Sequence, residues 1–205
     1  MTPRRGPAVL GLRAHSGWAA LVAVGGSASS PQVLDRRRIE MADDPEAKQP
    51  YHAAEELPLA KARALLDRFA RQAQERAAAD LGAALADLRA DGYDVVGAIV
   101  LTASGKRLPG LESILASHAL IHTADGEHFR DALAFAGKQH RVAVARIREK
   151  DLVAQAARCL GHSAPALQAA VTAWGKPLGP PWTQDQKLSA LAAWLGLVLP
   201  ATSYS

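Results

Sequence analysis

Cysteine, aromatic residues and long apolar runs are all scarce in this 205-residue chain. The single cysteine, Cys159, excludes an intrachain disulfide and any zinc cluster built from several cysteines, and we expect it to be a buried thiol. Aromatic residues make up 5% of the chain, so the core must consist mainly of Ala, Leu and Val. No segment approaches the roughly 20 apolar residues of a membrane span. The apolar run near the N-terminus is broken by Gly11 and Arg13, which predicts no cleavable leader. We therefore expect a cytoplasmic protein without membrane contact.

Strong charge of either sign is also missing. The formal net charge is +4 and charged residues make up 21% of the chain. This mildly basic balance is compatible with an anionic ligand, but it is far from the dense basic surface of a dedicated nucleic-acid binder. The alanine-rich helices and the preference for arginine are typical of bacterial proteins encoded at high GC content.

Three strands are predicted in the first forty residues, over 8–13, 18–24 and 32–41. The second strand, "WAALVAV", is apolar at successive positions, which is typical of a strand buried on both faces. The third strand alternates apolar residues with charged ones. A charged face suits the edge of a sheet, because it discourages pairing with another strand.

The rest of the chain alternates between helical and strand patterns. We predict one domain over residues 1–205. The first three strands form an antiparallel meander. The predicted elements that follow it are a linker (42–58), a long helix (59–90), a buried strand (94–104), a helical region (110–139) interrupted near "HALIHTADG", a strand (141–147), a helix (149–160) and two C-terminal helices (163–198). Parallel crossovers after a meander predict an α/β three-layer sandwich: a mixed five-stranded sheet, antiparallel and then parallel, with helices on both faces.

This order of elements resembles the ribonuclease H-like superfamily, and within it the RuvC-like Holliday-junction resolvases. "VLGLRAHSGWAALVAV" is similar to their first hairpin, and "VVGAIVLTASG" to their fourth strand. "RVAVARIREKDLVAQAARCLG" resembles their fifth strand and its helix, and "WTQDQKLSALAAWLGL" their closing helix. The resemblance covers roughly residues 8–198 and implies a ribonuclease H-like fold.

The acidic residues that the resemblance implies are missing. Those nucleases hold two metal ions with carboxylates from the first strand, the fourth strand and the last helix. The corresponding positions here fall near Arg13, Val100 and Ser189, with Asp185 one turn before the last. One acid cannot hold two divalent ions, and a guanidinium would repel them. We therefore expect the scaffold without the two-metal nuclease activity, and no bound metal or cofactor.

A candidate anion-binding cleft follows from the meeting of strand ends in this fold. Its predicted residues come from the ends of the first and fourth strands and from the start of the last helix: Arg13, His15, Ser16, Thr102, Ser104, Lys106, Thr183 and Asp185. Cationic side chains, hydroxyl groups and a helix N-terminus are donors for a phosphate or a carboxylate. Solvated loop residues at strand ends would give the same pattern, and a catalytic role is a further alternative.

A second cluster contains His118, His122, Glu127 and His128. The two histidines spaced i,i+4 would share a helix face and could bind zinc, if Glu127 approached them. The predicted break in this helix would spoil that geometry, so caps and satisfied interior hydrogen bonds are the expected roles. We interpret His52, just before the long helix, as a cap.

Three functions remain open from the sequence. The first is a non-catalytic ribonuclease H-like protein that binds nucleic acid or another protein through a basic cleft. The second is a metal-independent enzyme that acts on a small anionic substrate through histidine, serine or lysine at the strand ends. The third is self-association, for example as a homodimer, through the exposed third strand or the C-terminal helices.

Overall fold

A single mixed sheet organises the chain, and the computed structural model describes residues 5–103 and 107–204. Its strands are β1 (Gly6–His15), β2 (Trp18–Ser27), β3 (Ser30–Glu40), β4 (Tyr93–Thr102) and β5 (Val144–Arg148). The spatial order is β3-β2-β1-β4-β5. The three N-terminal strands form an antiparallel meander, and β1, β4 and β5 are parallel. The predicted mixed five-stranded sheet is confirmed, with β3 at an edge.

Helices cover both faces of this sheet. They are α1 (Pro45–Lys48), α2 (Pro50–Ala54), α3 (Leu59–Ala90), α4 (Leu111–Leu115), α5 (His118–Gln139), α6 (Glu149–Leu160), α7 (Ala164–Leu178) and α8 (Gln184–Gly196), followed by a 3-10 turn (Ala201–Ser203). Side chains of α3 and α5 form one core with the sheet, and side chains of α6, α7 and α8 form another core on the opposite face. The result is the predicted three-layer α/β sandwich.

The long helix α3 has the predicted bounds because its buried residues recur at three- and four-residue steps. Gly161 ends α6 in the left-handed conformation, with φ 71°. A capping box between Thr183 and Gln186 starts α8, and the spacing of a threonine followed three residues later by a glutamine is the sequence signature of such a box. The sequence alone predicts these helix boundaries. The caps of α6 and α8 each depend on a few consecutive residues, and the periodic pattern of α3 is continuous along the helix.

The predicted interruption of the helical region exists, but it lies at residues 116–117, between α4 and α5, and not within "HALIHTADG". Helix α5 runs without interruption from His118 to Gln139, with Ser117 at its N-cap. The Thr123 hydroxyl donates to the carbonyl of Ala119, 2.9 Å away, so it bonds within the helix instead of ending it. Gly126 leaves room for the guanidinium of Arg130, which an added Cβ would approach to 2.9 Å.

Two further expectations differ from the structure. Cys159 is exposed rather than buried: it follows Leu152 by two turns on the same face of α6, but it lies in the last turn, beyond the buried residues Leu152 and Ala156. The predicted linker contains α1 and α2, whose Ala47 and Ala54 are buried.

Residues 5–103 and 107–204 include no helix that combines the length and the apolarity needed to cross a membrane.

Candidate functional site

Arg13 lies near the carboxyl end of β1, in the middle of the sheet. It pairs with Ala20 of β2 and with Leu101 of the parallel strand β4. Side chains alternate across a strand, and Gly11 on the same face contacts the backbone of Ser189 in α8. The side chain of Arg13 therefore points to the face that α6 and α8 cover.

Two carboxylates bind the guanidinium of Arg13. Its Nε donates to Oε2 of Glu149 at 2.8 Å and its Nη2 donates to Oε1 at 3.1 Å, which is a bidentate pair. Nη1 donates to Oδ1 of Asp185. The hydrogen bond to Glu149 is the main reason that the pKa of Arg13 is raised above its ordinary value. Arg13 thus joins the first residue of α6 to the first turn of α8.

His15 extends this group toward the surface. Its Nε2 lies 2.9 Å from Oδ1 of Asp185 and 3.0 Å from Nη1 of Arg13. The imidazole stacks on Trp18, with the ring centroids 4.4 Å apart and the planes 13° from parallel. Burial acts to raise the pKa of Asp185, but the hydrogen bonds and charges of His15 and Arg13 outweigh it and lower that pKa.

The start of α8 is fixed from two sides, and this places Asp185. Gln186 Oε1 accepts from the backbone N–H of Thr183 at 2.8 Å, and Thr183 Oγ1 accepts from the N–H of Asp185 at 3.3 Å. The preceding loop is held by Arg36 of β3, which donates to the carbonyls of residues 178–181 at 2.6–3.2 Å. The carboxylate of Asp185 is thereby held beside Arg13.

A cleft of about 530 Å³ opens beside this ion-pair group. Its lining residues are Arg13, Ala14, His15, Leu101, Ala103, Arg130, Glu149, Lys150, Gln184 and Leu188. Arg130 is already bound: it donates to the Leu101 carbonyl at 3.2 Å and to Glu127 at 2.9 Å. Lys150 is exposed and has no ion pair within the described part of the chain. Among the described residues that line the cleft, Lys150 is therefore the basic side chain available to an incoming anion.

The structure brings together part of the predicted anion cleft. Arg13, His15 and Asp185 are in contact, and Thr183 caps the helix that carries Asp185. The other predicted residues differ in their placement: Thr102 is buried, Ser16 is exposed in the turn after β1, and Ser104 and Lys106 lie outside the described residues.

Sequence reasoning missed Glu149. It follows directly after β5, and the carboxyl ends of the parallel strands β1, β4 and β5 meet at one edge of the sheet. That position was the available signal, because strand-end residues of a parallel sheet converge. Glu149 neutralises the charge of Arg13, which we expected to be free to bind an anion.

The second predicted cluster separates into three parts. His118 and His122 are exposed on α5, with their Nε2 atoms 3.0 Å apart. Glu127 instead binds Arg130 at 2.9 Å and Arg146 at 3.3 Å. His128 is half-buried, and this burial lowers its pKa to about 4.

His52 replaces Glu127 as the neighbour of the histidine pair. Its ring centroid lies 5.4 Å from that of His118 and 4.5 Å from that of His122. It is a residue of α2 and makes no side-chain cap. His15 contacts Arg13, Trp18 and Asp185 instead, so it does not share a site with these histidines.

Comparison with known proteins identifies the scaffold. No protein-family model and no curated protein matches the sequence. Among solved structures, the chain is similar to Thermus thermophilus RuvC in complex with a Holliday junction substrate, with a TM-score of 0.54 and 12% identity over 92% of this chain and 90% of that chain. A second Thermus thermophilus RuvC structure matches with a TM-score of 0.53 and 13% identity over 92% of each chain. The chain has the ribonuclease H-like fold of RuvC.

The residues of this ribonuclease H-like fold do not fit the two metal ions that the resemblance implies. Arg13, which the resemblance puts at the first-strand position, binds Glu149 and Asp185. Val100 belongs to the core on the opposite face, and the fourth-strand residue beside Arg13 is Leu101. Ser189 is fully buried and donates to the carbonyl of Ala20 at 3.2 Å. A divalent ion here would meet a guanidinium instead of a third carboxylate.

Proposed function

We propose that this chain is a non-catalytic ribonuclease H-like protein, a pseudo-nuclease, that binds nucleic acid at the cleft beside Arg13. The observation that carries the proposal is the pairing of Arg13 with Glu149 and Asp185. A permanent cation occupies the place of the metal ions and uses the acids that could have bound them. Such a site cannot activate water through a bound metal. The chain still has the fold of RuvC, and the RuvC of the solved complex is bound to a Holliday junction substrate.

The charges of the cleft support backbone contacts rather than base reading. Lys150 lines the cleft and is exposed and unpaired within the described residues, whereas Arg38, which lies over the ring of Trp18, is paired with Glu40 at 2.6 Å. Phosphate contacts of this kind bind many sequences and weaken as salt concentration rises. With a net charge of only +4, we expect moderate affinity at low salt.

The first test measures binding and cleavage with the same substrates. Labelled four-way junction, duplex and single-stranded DNA are titrated by fluorescence anisotropy over a series of salt concentrations. We expect salt-dependent binding, and no cleavage when magnesium or manganese is added. Lys150→Ala should weaken binding and reduce the salt slope by about 1, because one phosphate contact is lost.

Lys138→Ala is the matched control for Lys150→Ala. Lys138 is exposed in the last turn of α5, next to the start of β5, at the opposite end of the sheet. Its loss should leave the salt slope unchanged. The proposal fails if no nucleic acid binds at low salt, or if divalent-ion-dependent cleavage occurs and Asp185→Ala abolishes it.

The contact between His15 and Asp185 favours a second candidate, a metal-independent enzyme that acts on a small anion. A carboxylate at 2.9 Å can orient an imidazole as a general base. In this case His15→Gln would abolish turnover of a phosphate or carboxylate ester. Binding lost in Lys150→Ala without any such turnover supports the first function instead.

A further inference from the structure

Three histidines from two helices meet on the surface away from the Arg13 cleft. His52 comes from α2, and His118 and His122 come from the first two turns of α5. One ligand nitrogen from each lies within 4.8 Å of the other two. Along α5, His118 is about 18 Å from Arg130 in the cleft, at 1.5 Å per residue. The group is therefore separate from the site described above.

The fold brings these side chains together through a buried carboxylate, Asp125. Its Oδ1 accepts from the backbone N–H of Tyr51 at 2.7 Å, and its Oδ2 accepts from Nδ1 of His52 at 2.5 Å. Asp125 lies one helical turn after His122, and 6% of its surface is exposed. This contact fixes α2 against α5 and holds the ring of His52 over the histidine pair.

The same contact selects the free nitrogen of His52. Because Nδ1 donates its proton to Asp125, Nε2 keeps its lone pair. A carboxylate behind a histidine is the usual support of a metal ligand, since it fixes the tautomer and the orientation of the ring and raises its basicity. His118 and His122 are both exposed, so a solvated ion can reach them.

The spacing of the ligand atoms suits a small tetrahedral ion. Zinc–nitrogen bonds of 2.0–2.1 Å place two tetrahedral ligands about 3.4 Å apart. The Nε2 atoms of His118 and His122 are 3.0 Å apart. Three imidazoles without an acidic ligand favour zinc and similar transition metals over magnesium or calcium, which prefer oxygen.

We propose that His52, His118 and His122 form a binding site for a divalent transition-metal ion of the zinc class, with Asp125 as its positioning residue. The three nitrogens leave a fourth coordination position open to water. The bound ion ties α2 to the start of α5, and so connects residues 45–54 to the helical layer.

The test uses the full chain without an affinity tag, after treatment with a chelator. Zinc is titrated by isothermal calorimetry, and the histidine ring resonances are followed by NMR. We expect one ion per chain, shifts at His52, His118 and His122, and a higher melting temperature with zinc. His118→Ala and His122→Ala should each weaken binding at least about 10-fold, because they remove a ligand. Asp125→Asn should weaken it by about 10-fold to 100-fold.

His162→Ala is the matched control. His162 is exposed and contacts Trp194 with ring centroids 5.6 Å apart, so it belongs to another surface. This variant should keep the affinity of the wild type. The proposal is wrong if zinc does not bind, or if His118→Ala, shown to be folded by its metal-free melting temperature, binds as tightly as the His162 control.

Discussion

At the scale of single residues, the surroundings of His128 determine its pKa and therefore its charge. The residue is inside α5, its Nε2 is buried, and that atom has no hydrogen-bond partner within the described part of the chain. Its ring packs against Phe129 and Tyr51. Burial lowers its pKa from 6.5 to about 4, although the charge of Asp131 and the backbone of Phe69 oppose that shift. The folded protein therefore holds this imidazole neutral.

We predict that His128 makes the fold sensitive to mild acid. Between pH 6.5 and about pH 4 the unfolded chain binds a proton that the folded chain does not. Above pH 6.5 the titration of His128 therefore does not reduce the free energy of unfolding. As the pH drops below 6.5, it lowers the free energy of unfolding by up to about 3 kcal/mol. Urea unfolding of wild type and His128→Phe at several pH values measures this: the phenylalanine variant should show a flatter pH dependence over that range.

His162→Gln controls for titration of an exposed histidine and should keep the pH dependence of the wild type. Equal slopes in wild type and His128→Phe would contradict the prediction.

At the scale of elements, α8 lies directly against β1, close enough for its backbone to reach Gly11. Every residue of α8 from Leu188 to Gly196 is buried, which is more than an amphipathic helix requires. Gly11 permits the approach, since a Cβ at that position would lie 1.8 Å from the carbonyl oxygen of Ser189. The alanines of α8 also permit this close approach, because their short side chains let the backbone of the helix lie on the sheet.

Gly11→Ala should therefore be strongly destabilising. The added methyl group meets backbone atoms that cannot rotate away, so we expect a loss of about 3 kcal/mol or more in the free energy of unfolding, measured by urea denaturation. Gly110→Ala is the control, because nothing lies within 4 Å of a Cβ there and its φ is −63°. Its cost should stay below about 1 kcal/mol. A small effect at Gly11 would mean that α8 does not lie this close to β1.

At the scale of the whole molecule, Arg13 links parts that are far apart in the chain. Its partners are 136 and 172 residues away, and they begin α6 and α8. The group is half-buried, so its charges are only partly screened by water. Removal of the guanidinium would take the shared partner away from Glu149 and Asp185 and leave Asp185 with His15.

Arg13→Met should lower stability by about 1–2 kcal/mol near neutral pH. The pKa of Asp185 is depressed below 3.8 in the fold, so this contribution is present above the ordinary pKa and is lost as the pH falls through the folded value. The difference between wild type and variant should therefore be smaller in acid, below the ordinary pKa of the carboxyl group, than near neutral pH. Thermal or urea unfolding at both pH values measures it.

Arg71→Met is the matched control for Arg13→Met. Arg71 is exposed on α3, and its substitution should change stability by less than about 0.5 kcal/mol. A difference between Arg13→Met and wild type that stays constant with pH would contradict the ion-pair account.

The sequence by itself determined the element order, the bounds of α3, the capping of α6 and α8, and the charged edge strand, because each depends on periodicity or on signals a few residues long. It also placed Arg13, His15 and Asp185 near one another, since strand ends converge in a parallel sheet. Only the tertiary structure decided that Glu149 neutralises Arg13 and that His52, and not Glu127, joins His118 and His122. Those contacts join residues from distant parts of the chain, and their geometry depends on how whole helices pack, which no local pattern encodes.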